Sequence, residues 1–443
     1  MLFDNKFEKS MRKIFWYLLL WPWVVLANED ASPLAKLQWS GWISKAWMQT
    51  NPEPLRLPQQ EDNGWEAALR LDWVMQPWLA FRALYAYQPY LNDGPDSEFE
   101  FLLLDANTYL GESIVGTRFG RLQLPYGFYN MQRLNPVDRL GIHHAQPMQI
   151  YWGQNAAIFD RGDGWMAYFY TPRSSSFQAQ FELGRIVRDY PEPQEDYLTV
   201  LSELGMKLDR QENQFASVEL ELWEMIRIRK DYHKPVHFIQ IPYSYYQKSA
   251  AQSLLQTNWE SLDLTQQISV DNFLQSHQCG PPPTAEFTRP YVIDYDGLEL
   301  WWEEWQLTLE QSRLYYMAEG TQHEYYSFMQ CVTAAADSGL RKRLDTHRSA
   351  VLTFYMEQLT THVGYGDWSV EENNEQRFGG THRFGGVKYK PHHDWTLKYE
   401  FHDKTGYFGL RYSQNKETSE SSEWREKIGE NWKAQAISVT YEF

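Results

Sequence analysis

The stretch that decides the fold is Trp65-Glu66-Ala67-Ala68-Leu69-Arg70-Leu71-Asp72-Trp73. Its odd-numbered positions are apolar, with tryptophan at both ends, whereas its even-numbered positions carry Glu, Ala, Arg and Asp. Successive side chains of a β-strand point to opposite faces, so a period of two predicts a strand with one apolar and one polar face. We therefore predict an amphipathic strand here.

The same alternation recurs along the chain. It is found in residues 218–228, 395–402 and 436–443. Pairs typical of tight turns, such as Asp163-Gly164 and Asp296-Gly297, are found elsewhere in the chain. No helical pattern intervenes, so consecutive strands are expected to pair antiparallel. The sequence shows no fixed-length repeat, which argues against a propeller or a solenoid.

The composition combines many aromatic residues with a hydrophilic average. Of the 443 residues, 16% are Phe, Trp or Tyr and 22% are charged, while the mean hydropathy is -0.61. So many large side chains exclude a disordered polymer. The formal net charge of -17 argues against a general nucleic-acid binder, which needs a basic face. Two cysteines are too few for a disulfide-dense scaffold or a multi-cysteine zinc motif.

Residues 1–27 are predicted to be a signal peptide. Arg12-Lys13 precedes the apolar run from Ile14 to Leu26, and the small residue Ala27 follows. A positive charge, an apolar core and a small residue in this order are typical of a secretory signal that is removed on export. The core is shorter than the roughly 20 residues of a membrane-spanning helix. We expect cleavage after Ala27; Met11 is an alternative start, and a buried N-terminal helix is the competing interpretation.

Alternation alone does not distinguish a membrane barrel from a soluble β-sandwich. Trp and Tyr recur at the ends of the apolar faces, where the lipid-facing band of a barrel meets the headgroups. A barrel also fills its interior with polar groups, which explains a hydrophilic average in a membrane protein. Tyr441 and Phe443 share one face of the last strand. They resemble the terminal signal that outer-membrane barrels present to their assembly machinery, although Ser438 stands where glycine is usual.

The most specific internal motif is Arg118-Phe119-Gly120-Arg121-Leu122-Gln123-Leu124-Pro125-Tyr126-Gly127-Phe128-Tyr129-Asn130. It resembles the Gly-Arg-x-x-x-Pro-x-Gly-x-Tyr-Asn segment of Gram-negative outer-membrane porins related to the phosphate-selective and DcaP-like groups. The resemblance implies a constriction loop, residues 125–152, that folds into the pore. Its side chains would include Arg133, Asp138, Arg139, His143 and His144. The segment from His143 to Pro147 departs from the better-known members, so the solute is left open.

Five arginines lie within 44 residues of an otherwise acidic chain: Arg118, Arg121, Arg133, Arg139 and Arg161. Facing carboxylates across a lumen, they would set a transverse field and select solutes by charge. In the alternative, Arg118 and Arg121 pair with carboxylates of neighbouring strands and hold the wall, while Arg139 faces bulk water. The sequence leaves both interpretations open.

Other polar clusters predict less. His143-His144 and His392-His393 are adjacent pairs, and adjacent residues of a regular strand point to opposite faces. No metal site is therefore expected, and no cofactor.

The two cysteines, Cys279 and Cys331, are predicted to form one disulfide in an oxidising periplasm. Two free thiols are the alternative.

The strand count follows from the length. A spanning strand takes roughly 9 to 11 residues. Division of the 416 residues after Ala27 among 16 strands gives about 26 residues for each strand with its connection. This leaves room for long external loops, which weak alternation predicts at residues 187–214 and 249–290. We predict an all-β transmembrane antiparallel β-barrel of 16 strands in residues 28–443, with 18 strands as the alternative.

The predicted function is that of a porin in the outer membrane of a Gram-negative bacterium. A barrel of this size holds a water-filled lumen, through which small hydrophilic solutes or ions would diffuse without catalysis. The expected partners are outer-membrane lipid, the barrel assembly machinery and the solutes, with a homotrimer as one oligomeric state and no nucleic acid. The alternatives are a non-conducting barrel that acts as an adhesin or surface receptor and, less favoured, an outer-membrane hydrolase.

Overall fold

The chain forms a closed antiparallel β-barrel, and its computed structural model describes residues 36–51, 65–87, 97–128, 161–173, 176–189, 207–242, 247–248, 250–251, 254–255, 258–276, 284–316, 343–372, 375–406 and 432–443. Within these residues 16 strands pair in chain order, and the first pairs with the last to close the barrel. This confirms the predicted 16 strands. The strands are β1 (Lys36–Asn51), β2 (Trp65–Gln76), β3 (Leu79–Tyr87), β4 (Ser97–Leu110), β5 (Ser113–Gln123), β6 (Arg161–Tyr170), β7 (Phe177–Asp189), β8 (Lys207–Leu222), β9 (Ile226–Pro242), β10 (Thr284–Trp302), β11 (Trp305–Tyr316), β12 (Arg343–Tyr355), β13 (Leu359–Glu372), β14 (Glu375–His392), β15 (Trp395–Gly406) and β16 (Trp432–Glu442).

Helical structure is confined to a small part of the described chain. A short 3-10 helix, Trp259–Ser261, and helix α1, Leu264–Ser276, lie between β9 and β10. Among the described residues, no helix is both long and apolar enough to cross a membrane. The predicted signal peptide and both cysteines lie outside the described residues.

Strand β2 shows how period-two alternation builds the wall. Glu66 is buried on the inner face, whereas Trp65 and Trp73 are exposed on the outer face. Buried polar and exposed apolar residues recur around the barrel. The first group includes Ser44, Asp105, Glu219, Asp231, Glu299, Glu310, Ser312 and Thr440, and the second includes Leu104, Phe119, Leu183, Val363, Leu397 and Ile437. A soluble sandwich would bury its apolar faces, so this arrangement is that of a polar interior within an apolar exterior.

One group of exposed aromatic residues lies at the end of the barrel that carries the short hairpin turns. Trp78 is in the β2–β3 turn, Trp223 is in the β8–β9 turn, and Trp302 and Trp305 flank the β10–β11 turn. Trp395 follows the β14–β15 turn directly. Indole rings concentrate where a lipid bilayer meets water. The tryptophans beside the short turns therefore have the arrangement expected at a membrane interface.

The first long connection is shorter than the sequence predicted, and the second begins and ends several residues earlier. We predicted loops over residues 187–214 and 249–290, but β7 continues to Asp189, β8 begins at Lys207 and β10 begins at Thr284. At the start of β8, Gln211 and Asn213 are buried, while the intervening residues on the opposite face are also polar. With polar side chains on both faces, this part of the strand shows no hydrophobic alternation in the sequence.

Two expectations about turns are wrong. Asp163-Gly164 lies within β6 and Asp296-Gly297 lies within β10, so neither pair closes a hairpin. A side chain added at Gly164 would meet the backbone carbonyl of Arg185, so this glycine permits close strand approach rather than a turn. Conversely, the apparent single run 218–228 contains a turn at residues 223–225.

The outer face also carries an ion-pair cluster on β9 to β11. The Nζ of Lys230 lies 2.5 Å from Oδ1 of Asp294 and 2.8 Å from Oδ1 of Asp296. Arg313 NH2 lies 3.3 Å from Oδ2 of Asp296. These residues alternate with the lumen-facing Asp231, Tyr295 and Ser312. Mutual pairing reduces the cost of placing charge on this face.

Candidate functional site: the barrel lumen

The chain that leaves β5 turns into the barrel and runs along its inner wall. Leu124 is fully buried in a cluster that also contains one or more lumen-side residues from each of β4 to β8. The cluster consists of Leu103, Leu122, Leu124, Met166, Ile186 and Phe215. Apolar contact along these five neighbouring strands holds the base of the connection against the wall. The first described residues of the predicted constriction loop therefore lie inside the lumen.

The next residues bind the wall at β9 to β11. The backbone N–H of Gly127 donates to Oδ2 of Asp231 at 2.7 Å. The hydroxyl of Tyr126 lies 2.7 Å from Oγ of Ser312, and the N–H of Phe128 donates to the Tyr295 hydroxyl at 3.4 Å. Burial raises the pKa of the Tyr126 phenol, so its hydroxyl stays protonated at neutral pH. We call residues 124–128, with these contacts, the anchored segment.

The backbone conformation explains the glycine in the Pro-x-Gly part of the motif. Gly127 has φ of +65°, a left-handed conformation that costs an L-residue free energy, and its N–H binds a buried carboxylate. Phe128 then places its ring against Gly297 of β10, where an added Cβ would lie 2.5 Å from the ring. Arg227 covers the same ring, with its guanidinium carbon 4.8 Å from the ring centroid. Gly297 thus makes room for the anchored segment.

The wall that receives the anchored segment is rich in carboxylates. Asp231 accepts bonds from Ser217 at 2.5 Å and from Arg229 Nε at 3.0 Å, in addition to Gly127. Arg227 bridges two further carboxylates, with Nε 2.7 Å from Glu219 and NH1 3.0 Å from Glu299. The fourth carboxylate, Glu310, accepts from the Tyr295 hydroxyl at 2.7 Å. This acidic wall thus places four carboxylates against two guanidinium groups: Asp231, Glu219, Glu299 and Glu310 against Arg227 and Arg229.

Arginines of β2, β3 and β5 line an open part of the lumen. A cavity of about 350 Å³ is bounded by Arg70 of β2, Arg82 of β3 and Arg118 of β5. The side chains of Arg70 and Arg82 are 47% and 40% exposed, so a solute in this cavity could reach them. Both arginines are paired with carboxylates: Arg70 Nε is 2.5 Å from Asp72, and Arg82 NH2 is 3.3 Å from the buried Asp105. We call this the arginine wall.

Arg118, the third member of the arginine wall, contacts a carboxylate and an aromatic ring on neighbouring strands. Its Nε lies 3.4 Å from Oδ2 of Asp105, and its guanidinium carbon lies 4.6 Å from the ring centroid of Tyr168. The Tyr168 hydroxyl donates to the same carboxylate at 2.5 Å. Arg118 therefore lines the lumen and also pairs with a carboxylate of a neighbouring strand. It has the position that each of the two interpretations predicted.

The other predicted arginines lie elsewhere. Arg121 pairs with Asp163 at 3.3 Å, on the outer face that also carries the exposed Trp165, so it does not line the pore. Arg121 has the position that the alternative interpretation predicted, in which it pairs with a carboxylate of a neighbouring strand. Arg161 is buried in an ion pair with the buried Glu100. Arg133, Asp138, Arg139, His143 and His144 lie outside the described residues.

A lumen-side histidine cluster on β12 to β15 was not predicted. His382 and His402 lie 2.8 Å apart (Nε2 to Nδ1), and Nε2 of His402 lies 2.8 Å from Oε1 of Glu400. His347 and His362 are buried on the same side of the neighbouring strands. The signal was present in the sequence, since each histidine occupies the polar phase of its strand. It was missed because strand neighbours cannot be aligned before the register is known.

The terminal aromatic residues lie on the outer face at the seam between β1 and β16. Gly41 and Phe443 exchange two backbone hydrogen bonds, at 2.9 and 3.0 Å. The rings of Tyr441 and Phe443 are stacked with centroids 6.2 Å apart, and both side chains are exposed. The predicted assembly-signal residues are thus accessible from outside the barrel.

Comparisons with known proteins find similarity at the level of structure. No protein-family model matches the chain, and no curated protein matches it either. Outer-membrane expressed OmpT of Vibrio cholerae is similar at 10% identity and a TM-score of 0.49, over 93% of this chain and 99% of that chain. An anion-selective porin from Comamonas acidovorans is similar at 10% identity and a TM-score of 0.48, over 92% and 100% of the two chains. The outer membrane channel DcaP of Acinetobacter baumannii is similar at 9% identity and a TM-score of 0.44, over 92% and 97%.

These values are low, so the assignment of the fold rests on the strand pairing and the burial pattern of the chain itself.

Proposed function

We propose that this chain is an outer-membrane channel through which small hydrophilic solutes or ions diffuse passively, without catalysis. The observation that carries the proposal is the anchored segment, which narrows the interior of a barrel that is polar inside and apolar outside. On this proposal residues 129–152 continue the constriction and carry Arg133, Asp138, Arg139, His143 and His144 into it.

The charges of the lumen support selection by charge. The acidic wall on β8 to β11 holds the anchored segment, whereas the arginine wall on β2 to β5 borders open volume. Opposed charges across a pore act on a passing ion more strongly than the net charge of the chain, because the low-dielectric wall focuses their field. The accessible arginines favour the passage of anions on the side of the cavity.

The outer-membrane location is part of the proposal. The tryptophans beside the short turns fit one membrane interface, and the exposed apolar outer face fits lipid. Export through a signal peptide in residues 1–27 and recognition of Tyr441 and Phe443 by the assembly machinery would bring the barrel there. The proposal also includes assembly as a homotrimer.

Single-channel recording in planar lipid bilayers tests the proposal. Purified, folded protein should give discrete conductance steps, and the reversal potential in a salt gradient should report the preferred sign of ion. Folded protein that inserts into the bilayer without conducting would overturn the proposal and leave a surface receptor or adhesin. Labelling by a serine-directed covalent probe would instead indicate a hydrolase.

A further inference from the structure

We infer that the turn between β14 and β15 is a binding site for a divalent transition-metal ion such as Zn²⁺ or Ni²⁺, formed by His392, His393 and Asp394. One donor atom from each residue lies within 4.8 Å of the other two. This inference does not depend on the proposed channel function.

The spacing of the donor atoms suits one ion. Nε2 of His393 lies 2.9 Å from Oδ1 of Asp394, and Nδ1 of His392 lies 3.4 Å from Oδ2 of the same carboxylate. Zinc bonds of about 2.0–2.2 Å to nitrogen and oxygen place neighbouring ligands of a tetrahedral ion roughly 3.3 Å apart. The two imidazole rings lie close together, with centroids 3.9 Å apart and planes tilted by 41°. Small side-chain rotations would let one ion replace these direct contacts.

The sequence argument against a metal assumed a regular strand, and the turn removes that assumption. β14 ends at His392, which pairs with Trp395, so His393 and Asp394 are the two residues of the turn. In a turn, adjacent side chains no longer point to opposite faces. The turn is also held in place, because the carbonyl of Asp394 accepts a hydrogen bond from the N–H of Glu442 at 2.8 Å. This hydrogen bond ties the backbone of the turn to β16.

The donor set and the exposure define the class of ion. Two imidazoles and one carboxylate favour Zn²⁺, Ni²⁺, Co²⁺ or Cu²⁺ over Mg²⁺ and Ca²⁺, which prefer oxygen ligands. The side chains of His392 and His393 are 57% and 79% exposed, so an ion can enter from water and keep water in its remaining positions. The contact from the Asp394 N–H to Nδ1 of His392 is long, at 3.4 Å, and an ion at that nitrogen would replace it.

Calorimetric titration of the full chain, folded in detergent and carrying no polyhistidine tag, tests the site with NiCl₂ and ZnCl₂. The wild-type protein should bind one ion, and His392→Ala/His393→Ala should lose at least roughly tenfold in affinity. Asp394→Asn should also weaken binding, and MgCl₂ should give no signal at the same concentrations. Equal affinity in the wild-type protein and the double histidine variant would overturn the inference.

Two control variants and one spectroscopic measurement separate this turn from other sources of binding. Glu303→Gln/Glu304→Gln alters the exposed β10–β11 turn, and His143→Ala/His144→Ala removes the other adjacent histidine pair. Both should bind as the wild-type protein does; a loss in either equal to that of His392→Ala/His393→Ala would contradict the assignment. With Cu²⁺, electron paramagnetic resonance should show coupling to two imidazole nitrogens, falling to one in His393→Ala, and unchanged coupling in that variant would also contradict it.

Discussion

Gly127 shows how one residue of the motif determines the position of the anchored segment. Its left-handed backbone turns the chain from the apolar cluster on β4 to β8 toward the acidic wall, and its N–H binds Asp231. An L-residue at this position would lose about 1 to 2 kcal/mol of stability on adopting the same conformation. The bound carboxylate is fully buried, so loss of the contact would leave it with one donor fewer.

Gly127→Ala should loosen the anchored segment and raise the single-channel conductance or its noise. The strain of about 1 to 2 kcal/mol can be relieved if the segment leaves the wall and opens the lumen. Gly111→Ala is the matched control, because Gly111 has nearly the same φ, +64°, in the exposed β4–β5 turn with open space around it. Conductance recordings of both variants provide the measurement. Identical traces for wild type and Gly127→Ala would show that the anchored segment does not limit the pore.

At the scale of elements, glycine and large rings fit together across neighbouring strands. The ring of Phe384 on β14 lies over Gly364 on β13, and a Cβ at Gly364 would collide with it. The same ring stacks against His382, with centroids 4.9 Å apart. This pairing of a flat ring with a bare backbone stabilises the inner wall beside the histidine cluster and explains why glycine occurs within a long strand.

The Phe384 and Gly364 substitutions should be strongly non-additive. Phe384→Ala empties a buried site and should lower the free energy of unfolding by about 3 to 5 kcal/mol. Gly364→Ala collides with the ring in the wild-type background but has room when residue 384 is alanine, so the double variant should be less destabilised than the two losses combined. Urea unfolding followed by tryptophan fluorescence measures all three variants.

The control for that cycle pairs Phe384→Ala with Gly111→Ala, which do not share a contact. Their effects should add within about 0.5 kcal/mol. Additive behaviour of the contacting pair as well would rule out the proposed coupling between β13 and β14.

At the scale of the whole molecule, closure of the barrel separates charges that are neighbours in the sequence. Arg118 and Arg121 are three positions apart, yet Arg118 borders the lumen cavity and Arg121 pairs on the outer face with Asp163. Charge on the outer face is shielded from the permeation path by the barrel wall. Ion selectivity should therefore depend on the arginine wall and not on the number of arginines in the motif.

Arg82→Ala should shift the reversal potential toward cation preference, because it removes one accessible positive charge from the cavity. The fold should tolerate this change, with an unfolding free energy altered by about 1 kcal/mol or less, since Asp105 keeps Arg118 and Tyr168 as partners. Arg121→Ala is the matched control and should leave the reversal potential unchanged. Equal shifts in both variants would contradict the placement of Arg121 outside the lumen.

Sequence alone determined the strand type and the polarity of the two faces, because alternation is a local consequence of β-strand geometry. The count of 16 came from the chain length, with 18 strands as the alternative, and strand pairing confirmed it. The motif at Arg118–Asn130 also located the start of the in-folded segment. The tertiary structure decided which charges face the lumen, where the loop attaches and which histidines meet in a turn. Gly127 and Asp231, for example, are 104 positions apart. Such contacts depend on strand register and barrel closure, and a local pattern of side chains does not contain that information.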